Sequence, residues 1–495
     1  MSKSNNFYIT TTLPYVNADP HIGHAMEFVR ADVIARFQRS LGKEVFFNTG
    51  TDEHGQKIWE GAEKENLTPQ EYVDKYSERF KDFLSLANIS YDAFIRTTDQ
   101  KHIEAAKKMW QICLDKGDIY KAKQKIKYCV GCEMEKTDSE LNEEGRCPDH
   151  PNRDLVITEE ENYFFRFSKY QKDLLALYER GLVKPESKQN EIKNFVSEGL
   201  HDFSVSRLKT KMPWGVEVPN DQDHVMYVWF DALNSYISTL NWGIEDNSEL
   251  FQKFWTDGEV VQYCGKDNNK SQSAIWQAML FSTGLKNSDT ININGHIISG
   301  GVKMSKSIGN VISPFEIVDK YKEYAIFPED VLRFMMCHEV STYEDSDVTK
   351  KSIDQAYAAY LQNGIGNQVN RILKLSSTYL NEKDTESIIS RLESSQLSSD
   401  YSELLQNYKV NEALHMVTDK IKSLDEYIQE KAPFKLIKSE NEVEQEEARE
   451  IIRDSLYMLG DISHHLYFFM PNTSMKIYNF IKDNQMPEVP LFNRI

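Results

Sequence analysis

Two short segments of the sequence carry side chains suited to binding phosphate. The first, His21-Ile22-Gly23-His24, follows a strand-like run at 7–12 and opens an amphipathic stretch that reaches Arg39. Helix N-termini favour anions through free backbone N–H groups and the helix macrodipole, and a glycine lets a ligand approach the backbone closely. Because His21 and His24 add side-chain donors there, the segment predicts a phosphate site at the start of a helix.

The second segment is Lys303-Met304-Ser305-Lys306-Ser307, which follows a strand-like run at 291–299 and a Gly-Gly turn. It places the ammonium groups of Lys303 and Lys306 three residues apart. Taken singly, either segment is more typical of an ordinary helix cap or a solvated turn. Together they favour a site that holds a triphosphate while its α-phosphorus is attacked. Their expected role is to stabilise charge as pyrophosphate leaves, with no covalent enzyme intermediate.

The composition limits the class of protein. A chain of 495 residues is too long for one compact core, so two or three domains are expected. The net charge of −19 argues against a general nucleic-acid coat protein, although a local basic face would be enough for a selective RNA partner. No run of about 18 apolar residues and no apolar signal core are present, so we expect a cytoplasmic protein without a membrane partner.

The order of patterns along the chain predicts an α/β fold. Strand-like runs alternate with helical periodicity in the first part and again after the middle, which indicates βαβ units and a Rossmann-like parallel sheet. The pattern between these parts is rich in lysine, aromatic and acidic residues and predicts an insertion with its own small sheet. The last part is helical almost throughout and predicts a helical bundle. The expected domains are 1–116 and 226–350 for the catalytic α/β domain, 117–225 for the insertion, and 351–495 for the bundle.

Four residues of the expected insertion have the spacing of a zinc site. Cys129-x-x-Cys132 is followed, after fourteen residues, by Cys147-x-x-His150. Tight pairs supply two ligands from one turn, and four protein ligands close the coordination sphere. The pattern therefore predicts one structural Zn²⁺ rather than a catalytic one. The alternatives are unpaired reduced cysteines and a free-standing zinc finger for nucleic acid, which the position inside an enzyme domain disfavours.

Both phosphate segments resemble the two signature motifs of class I aminoacyl-tRNA synthetases. Further segments narrow the resemblance, because they are similar in order and context to methionyl-tRNA synthetases of the bacterial type. They are Leu13–Asn17, Thr49–Gly55, Tyr227–Ala232 and Gly265–Asp267. The similarity runs over essentially the whole chain. It implies a ligase that activates L-methionine with ATP to methionyl-adenylate and transfers it to the terminal adenosine of tRNA(Met), initiator tRNA included.

The resemblance also implies a methionine site, in which Asp52 holds the α-ammonium group of the substrate. Aromatic rings suit a thioether, and they stand near the carboxyl ends of predicted strands, although each ring taken singly is more typical of a core. Two positions depart from many relatives: Leu233 stands in place of proline, and Gln272 in place of a histidine near the sulfur. The matching residues are Leu13, Tyr15, Asp52, Trp229, Ala232, Tyr236, Gln272 and Trp276.

For ATP, which is expected with Mg²⁺, the resemblance assigns the phosphates to the two motifs. Glu27 is assigned to the adenine side, and Gly265 with Asp267 to the adenosine. The sequence indicates no dedicated carboxylate pair for the magnesium ion. The residues assigned to the phosphates and to catalysis are His21, Gly23, His24, Lys303 and Lys306.

For tRNA, the resemblance points to the bundle and to the insertion. The family reads its anticodon with an asparagine and an arginine four residues apart, matched by Asn367 and Arg371 on one helical face, and with a later tryptophan, here Phe434. Phenylalanine stacks on a base but lacks the indole N–H donor. The insertion has four alternating lysines between 121 and 127, which suit RNA contact or an edge strand kept soluble equally well. A monomer is expected.

Two alternative functions are weaker. Synthetases for leucine, isoleucine or valine usually carry a large editing domain, for which the insertion at 117–225 is too short, and a cysteine enzyme would place zinc in its substrate pocket. An inactive tRNA-binding protein that kept the fold would not need intact phosphate motifs.

Overall fold

The computed structural model of the chain describes residues 5–132, 134–136, 140–148, 150–245, 248–304 and 310–495. The chain divides into two compact units. Unit 1 comprises Met1–Asp19, Gly42–Lys81 and Tyr91–Ile293, and unit 2 comprises Pro20–Leu41, Asp82–Ser90 and Asn294–Ile495. Each unit is therefore built from separated stretches of sequence.

The strands are numbered in chain order. They are β1 Asn6–Thr10, β2 Glu44–Thr51, β3 Ala93–Arg96, β4 Ile119–Cys129, β5 Met134–Glu135, β6 Val156–Phe165, β7 Val183–Lys184, β8 Phe203–Ser204, β9 Ser206–Leu208, β10 Glu217–Val218, β11 Asp221–Met226, β12 Glu259–Gly265, β13 Thr290–Asn294, β14 Ile297–Ser299, β15 Val302–Lys303 and β16 Ser346–Asp347.

The α-helices are numbered in the same way, and short 3₁₀ or π segments lie between some of them. The helices are α1 Ile22–Ser40, α2 Gln56–Glu65, α3 Pro69–Leu86, α4 Gln100–Asp115, α5 Gln171–Tyr178, α6 Glu186–Ser197, α7 Val228–Ala232, α8 Ser235–Ser238, α9 Glu249–Phe251, α10 Trp276–Thr283, α11 Pro314–Tyr321, α12 Pro328–His338, α13 Lys350–Ala356, α14 Asn367–Tyr379, α15 Glu382–Glu393, α16 Ser399–Gln406, α17 Val410–Lys431, α18 Pro433–Leu436, α19 Glu442–Leu466 and α20 Pro471–Lys482. The short segments are 3₁₀ at Phe167–Tyr170 and Lys266–Asn268, and π at Gln252–Thr256, Ser271–Ile275 and Tyr357–Gly366.

Unit 1 contains a six-stranded sheet with the order β3-β2-β1-β12-β13-β7. Strand β1 pairs in parallel with both β2 and β12, β2 pairs in parallel with β3, and β13 with β7. Phe7 to Thr10 of β1 are all buried, as expected for a parallel sheet that is covered on both faces. The parallel α/β fold predicted from the sequence is thus confirmed, and so is the helix-rich C-terminal part.

Aromatic rings connect the sheet of unit 1 to its helices. The ring of Tyr8 lies 6.0 Å from that of Trp255, which in turn lies 5.9 Å from Trp276 in an edge-on arrangement. Trp110 of α4 packs edge-on against Phe230 of α7 at 5.5 Å. Truncating a buried ring of this size costs about 3–5 kcal/mol, so these contacts hold α7 and α10 in place.

The expected insertion forms antiparallel sheets of its own but also joins the main sheet. Strands β5-β4-β6-β8 form one small sheet and β10-β11-β9 another. Strand β7, which lies within 117–225, pairs with β13 at the edge of the parallel sheet. The insertion is therefore not a separate body, although the change in composition along the chain suggests one. Backbone N–H and C=O groups of β13 need partners at the edge of the sheet, and β7 supplies them.

Unit 2 is built around α1, which is buried along most of its length. A helix that is buried on nearly all sides must be enclosed by others, and the rings of Phe28 and Phe37 pack on Phe83 and Phe468. Helices α11, α12, α18 and α20 all begin with proline, whose fixed φ and missing N–H suit a first helical turn.

The composition of one stretch of unit 2 does not indicate its structure. The stretch 381–400, rich in serine and acidic residues, favours an exposed link between helices, yet Glu382–Glu393 forms α15. Asn381 caps this helix by accepting from the backbone N–H of Asp384, and Ile388 and Leu392 are buried. Capping and a narrow apolar stripe outweigh the polar composition. Among the described residues, no helix is long and apolar enough to cross a bilayer.

A buried ionic cluster ties α1 to α12 within unit 2. Asp32 of α1 is 2.7 Å from the guanidinium of Arg333 and 2.6 Å from that of Arg36. The other carboxylate oxygen of Asp32 accepts from the N–H and hydroxyl of Ser90. Arg333 also donates to the carbonyls of Phe468 and Phe469 ahead of α20. Burial opposes the charge of Asp32, but the two arginines keep the pKa of this carboxyl below its usual value.

We expect Arg333→Met to lower the free energy of unfolding by about 3 kcal/mol, because it leaves a buried carboxylate with one arginine partner instead of two. Urea unfolding followed by the helical circular-dichroism signal measures the loss. Lys350→Met is the matched control, since Lys350 pairs with Glu316 at the exposed surface and its removal should change stability by less than about 0.5 kcal/mol. Equal effects of the two substitutions would contradict the prediction.

Candidate active site

The segment His21–His24 folds into a reciprocal cap on helix α1. The Nδ1 atom of His21 accepts from the backbone N–H of Gly23 at 3.1 Å, and Nδ1 of His24 accepts from the backbone N–H of His21 at 3.2 Å. The two rings stack with their centroids 3.8 Å apart. Each imidazole therefore orients the other at the N-terminus of a buried helix.

This capping geometry decides where the imidazole protons lie. Because both Nδ1 atoms accept a hydrogen bond, a neutral ring carries its proton on Nε2. Burial, with a smaller contribution from the nearby His21, lowers the pKa of His24 well below its ordinary value. At neutral pH His24 is therefore an uncharged donor rather than a cation. A neutral Nε2–H group at a helix N-terminus is suited to donate a hydrogen bond to an anion.

Gly23 is required by the same packing. A Cβ atom on Gly23 would lie 2.9 Å from Cε1 and Nδ1 of the His21 ring, closer than real Cβ contacts. The backbone N–H of Ile22 donates to the carbonyl of Ile312 at 3.1 Å, which connects the cap to the chain beyond the second motif. Glu27, one turn further along α1, is buried.

Of the second motif, the structure describes the beginning. Lys303 ends strand β15, which pairs antiparallel with β14 through Ile298. Lys306 lies outside the described residues. The expectation that Lys303 and Lys306 stabilise charge as pyrophosphate leaves therefore stays a prediction.

The residues assigned to methionine lie in unit 1. Asp52 directly follows β2 and is buried, and its backbone forms a parallel bridge with Tyr15. Its N–H donates to the carbonyl of Pro14, and its carbonyl accepts from the N–H of Val16. The structure thus brings the carboxylate chosen for the α-ammonium group and the segment at 13–16 to the same end of the sheet.

A second group connects Tyr236, Gln272 and Trp276. The hydroxyl of Tyr236 donates to Oε1 of Gln272 at 2.8 Å, and the rings of Tyr236 and Trp276 lie 5.8 Å apart. Gln272 Nε2 and Trp276 Nε1 are buried and have no hydrogen-bond partner among the described residues. Buried donors nearly always have acceptors, so two donors without one suit a polar ligand atom.

The remaining residues assigned to methionine and to the adenosine also lie in unit 1. Trp229 and Ala232 lie on α7, where Ala232 is buried and Trp229 is partly buried against the core. Leu13 is partly buried. Gly265 ends β12, and a Cβ there would lie 2.8 Å from a carboxylate oxygen of Asp267, which is exposed on the 3₁₀ turn that follows.

Sequence reasoning missed a buried hydrogen-bonded group beside Asp52. The carboxylate of Asp231 lies 2.7 Å from Nδ1 of His54 and 2.8 Å from Nε2 of His102. Burial opposes ionisation of Asp231, but the two histidines outweigh it and lower its pKa to about 2. His54 and Asp231 both stand in segments that carried the family resemblance, but no spacing rule connects residues so far apart in sequence.

The four predicted metal ligands lie together in unit 1. Cys129, Cys132, Cys147 and His150 place their ligand atoms within 4.8 Å of one another. The Sγ atoms of Cys132 and Cys147 are 3.5 Å apart, and His150 Nδ1 lies 3.3 Å from Cys132 Sγ and 3.8 Å from Cys129 Sγ. A tetrahedral zinc site has edges of about 3.8 Å between sulfurs and about 3.6 Å between sulfur and nitrogen, so the donor set fits zinc.

Two lysines connect this cluster with the candidate methionine residues. Lys57 Nζ donates to the carbonyl of Gly131, between the first two cysteines, and lies 5.6 Å from the centre of the Tyr15 ring. Lys270, near Gln272, pairs with Glu140 at 2.7 Å. Gly131 itself has no room for a side chain, because a Cβ would lie 2.4 Å from the imidazole of His150.

The residues expected to contact tRNA are partly paired within the chain. Lys121 on β4 pairs with Asp221 at 3.0 Å, so one of the four alternating lysines has an internal partner. Asn367 is exposed at the start of α14, and Arg371 pairs with Asp425 at 2.5 Å. Phe434 on α18 is 39% exposed, more than a core phenylalanine would be.

Comparisons with known proteins show the family to which the chain belongs. The model of the family described as tRNA synthetases class I (M) matches residues 7–155 and 151–373. The methionine–tRNA ligase of Fusobacterium nucleatum is 36% identical over 484 residues, which is 96% of this chain and 74% of the relative. That of Synechocystis is 36% identical over 491 residues, with 95% and 88% covered.

A solved structure extends the likeness to the fold. The Mycobacterium tuberculosis methionyl-tRNA synthetase in complex with methionyl-adenylate matches with a TM-score of 0.89 and 30% identity, over 99% of this chain and 100% of that one. The family model and the fold define a class I aminoacyl-tRNA synthetase. Within that class, the chain belongs to the methionine–tRNA ligase family.

For the metal cluster, we expect elemental analysis to find one zinc ion per chain. Cys132→Ser should lower the zinc content and the thermal stability, because an oxygen replaces a thiolate in a closed set of four ligands. Cys264→Ser, at a buried thiol outside the cluster, is the matched control and should keep its zinc. Purified wild-type chain without zinc would refute the prediction.

The lowered pKa of His24 predicts a pH dependence of stability. Its folded pKa lies below the unfolded value of 6.5, so in that interval the unfolded chain binds a proton that the folded chain does not. The contribution of His24 to the free energy of unfolding is therefore fully present above pH 6.5 and decreases as the pH drops below that value. His464 and His465 act in the same direction, since burial lowers the pKa of both.

His24→Asn should flatten part of this decline, because the amide oxygen still accepts from His21 N–H but does not titrate. Urea unfolding between about pH 5 and pH 8 measures the effect. A variant with the same pH profile as the wild type would show that His24 does not contribute.

Proposed function

We propose that the protein catalyses the methionine–tRNA ligase reaction in two steps at the residues described above. The carboxylate of L-methionine attacks the α-phosphorus of ATP, which gives methionyl-adenylate and pyrophosphate. A ribose hydroxyl of the terminal adenosine of tRNA(Met) then attacks the carbonyl carbon of the adenylate, which forms the methionyl ester and releases AMP and a proton. The observation that carries this proposal is the reciprocal cap of His21 and His24 on α1, with Gly23 between them, in a chain of this family.

Methionine is proposed to bind in unit 1 with its ammonium group on Asp52. A carboxylate buried at a strand end is suited to a cationic group that needs a charged acceptor. The thioether is proposed to lie among Tyr15, Trp229, Ala232, Tyr236 and Trp276, with Leu13 at the border. Sulfur makes favourable contacts with aromatic ring edges. The Nε2 donor of Gln272, held in place by Tyr236, supplies a weak hydrogen bond to the sulfur.

ATP is proposed to bind with Mg²⁺, the usual counter-ion of its phosphates. His21, Gly23 and His24 bind phosphate oxygens through Nε2–H groups and the helix N-terminus. Lys303 and Lys306 stabilise the charge that develops as pyrophosphate leaves. Because no covalent enzyme intermediate is involved, positioning and charge stabilisation supply most of the rate. Glu27 is proposed for the adenine, and Gly265 with Asp267 for the adenosine.

The tRNA is proposed to contact two parts of the chain. Asn367, Arg371 and Phe434 are proposed to bind the anticodon of initiator and elongator tRNA(Met), with Phe434 stacking on a base. Arg371 must exchange its pairing with Asp425 for the RNA or bind with both partners. The insertion is proposed to lie near the acceptor end, where its lysines contact phosphates.

The metal cluster is proposed to hold one structural Zn²⁺ through three thiolates and one imidazole. When bound, the ion would cross-link the loop through these four side chains and would leave no reactive position. Thiolate ligation requires reduced cysteines, which supports action in the cytoplasm. A single chain carries every group in the proposal, which favours a monomer as the working unit.

Amino-acid-dependent ATP–pyrophosphate exchange tests the proposal. We expect methionine to support exchange, and leucine, isoleucine, valine and cysteine to support it at least about 100-fold less well in kcat/KM, because the missing sulfur contacts and altered shape cost about 3 kcal/mol. Charging of tRNA(Met) transcripts with radiolabelled methionine tests the second step. Preference for another amino acid, or no exchange with any of them, would overturn the proposal.

A further inference from the structure

We propose that Asp231 is a positioning residue that sets the geometry of the methionine site by binding His54 and His102. This inference rests on the proposed function and adds three residues to which no role has been given above. Asp231 touches neither of the reacting groups in that proposal. It acts through the two histidines and the elements that carry them.

The first support is the geometry of the group. One oxygen of Asp231 lies 2.7 Å from Nδ1 of His54, and the other lies 2.8 Å from Nε2 of His102. The remaining nitrogen of His102 lies 3.1 Å from the hydroxyl of Ser238. An ionised carboxylate has only acceptor sites, so both rings donate N–H to it. The arrangement fixes the orientation of both imidazoles.

The second support is burial. Asp231 and His102 are fully buried and His54 is 4% exposed. A carboxylate at such a place needs compensation by charge-assisted hydrogen bonds, and removing it leaves donors without acceptors. The group is therefore rigid, and it is sensitive to the loss of a single charge.

The third support is where the members stand in the chain. His54 comes two residues after Asp52, the proposed ammonium ligand. Asp231 lies between Trp229 and Ala232 on α7, two proposed walls of the thioether site. By binding His54, the carboxylate of Asp231 thus fixes the proposed ammonium ligand Asp52 relative to the proposed thioether site on α7.

A second set of contacts holds Glu53, which lies between Asp52 and His54. The buried carboxylate of Glu53 accepts from Arg96 at 2.7 Å and from Thr98 at 2.5 Å. The indole N–H of Trp214 donates to the carbonyl of Glu53 at 2.6 Å. The backbone N–H of Gly55 also donates to the carbonyl of Trp214 at 3.2 Å. With Glu53 bound to β3 and Asp52 bridged to Tyr15, the bond of His54 to Asp231 adds a side-chain contact that holds this turn to α7. Asp52 is therefore held through its own backbone and through Glu53 and His54, the two residues that follow it.

The test uses Asp231→Asn in the full-length chain. The amide keeps the shape but loses the charge, and one of its two polar atoms is a donor that faces a histidine N–H. We expect the methionine Kd, measured through tryptophan fluorescence without ATP, and the methionine KM in ATP–pyrophosphate exchange to rise about tenfold or more. The KM for ATP should stay within about twofold of the wild type, because His21, Gly23 and His24, which are proposed to bind the ATP phosphates, belong to unit 2 and none of them is adjacent in sequence to Asp231, His54 or His102.

Asp118→Asn is the matched control. Asp118 is also a buried carboxylate of unit 1, which accepts from Lys169, Tyr170 and Ser282. None of these partners is adjacent in sequence to a proposed methionine residue. We expect this variant to lose thermal stability while its methionine Kd stays within about twofold of the wild type.

A pair of substitutions at His54 keeps the test decisive if Asp231→Asn fails to fold. His54→Asn retains an N–H donor close to the position of Nδ1, whereas His54→Leu has none. Rescue of methionine binding by asparagine relative to leucine is the expected result, since a role in packing alone would favour leucine. Equal methionine affinity in the wild type and in Asp231→Asn, or equal affinity of the two His54 variants, would overturn the inference. A wild-type chain that neither binds methionine nor shows exchange would overturn the proposed function as well.

Discussion

A carboxylate that is buried away from water must be surrounded by donors, and this requirement organises both units. In unit 2, Asp32 binds Arg333 and Arg36, so the helix that begins with the histidine cap is fixed against α12. In unit 1, Asp231 binds two histidines from different elements. A buried charge without its partners costs folding free energy. The elements that carry the partners are therefore held in the arrangement that brings donors and carboxylate together.

The groups proposed for chemistry are small and depend on this support. Two imidazoles, one glycine and the N–H groups of a helix can bind phosphate only when their orientation is set in advance. The reciprocal cap supplies this orientation for His21 and His24, and lack of space at Gly23 maintains it. On the amino-acid side, Tyr236 holds the amide of Gln272 so that its N–H₂ group is directed by a fixed hydrogen bond. Gln272 therefore presents an oriented donor in the proposed methionine site.

Much of this could be predicted from local signals. Alternating strand and helix patterns predicted the parallel sheet, and the cysteine and histidine spacing predicted the cluster that the structure brings together. Other features had no such signal. Strand β7 joins the main sheet from within the insertion, and the stretch with α15 is too polar in composition to suggest a packed helix. Both features depend on packing or pairing partners that are distant in sequence. Patterns over a few neighbouring residues cannot identify such partners.

The sequence by itself determined the family, the parallel α/β class and the residue types available for phosphate, metal and thioether binding. The family follows from the resemblance of the motifs. The fold class and the residue types follow from short-range patterns, because a cap, a turn or a ligand pair is built from neighbours along the chain. The tertiary structure alone decided that His54, His102 and Asp231 meet, that Arg333 neutralises Asp32, and that Lys57 lies between the metal loop and Tyr15. The physical reason is that compensation of buried charge depends on distance in space, and residues far apart in sequence acquire that distance only when the chain has folded.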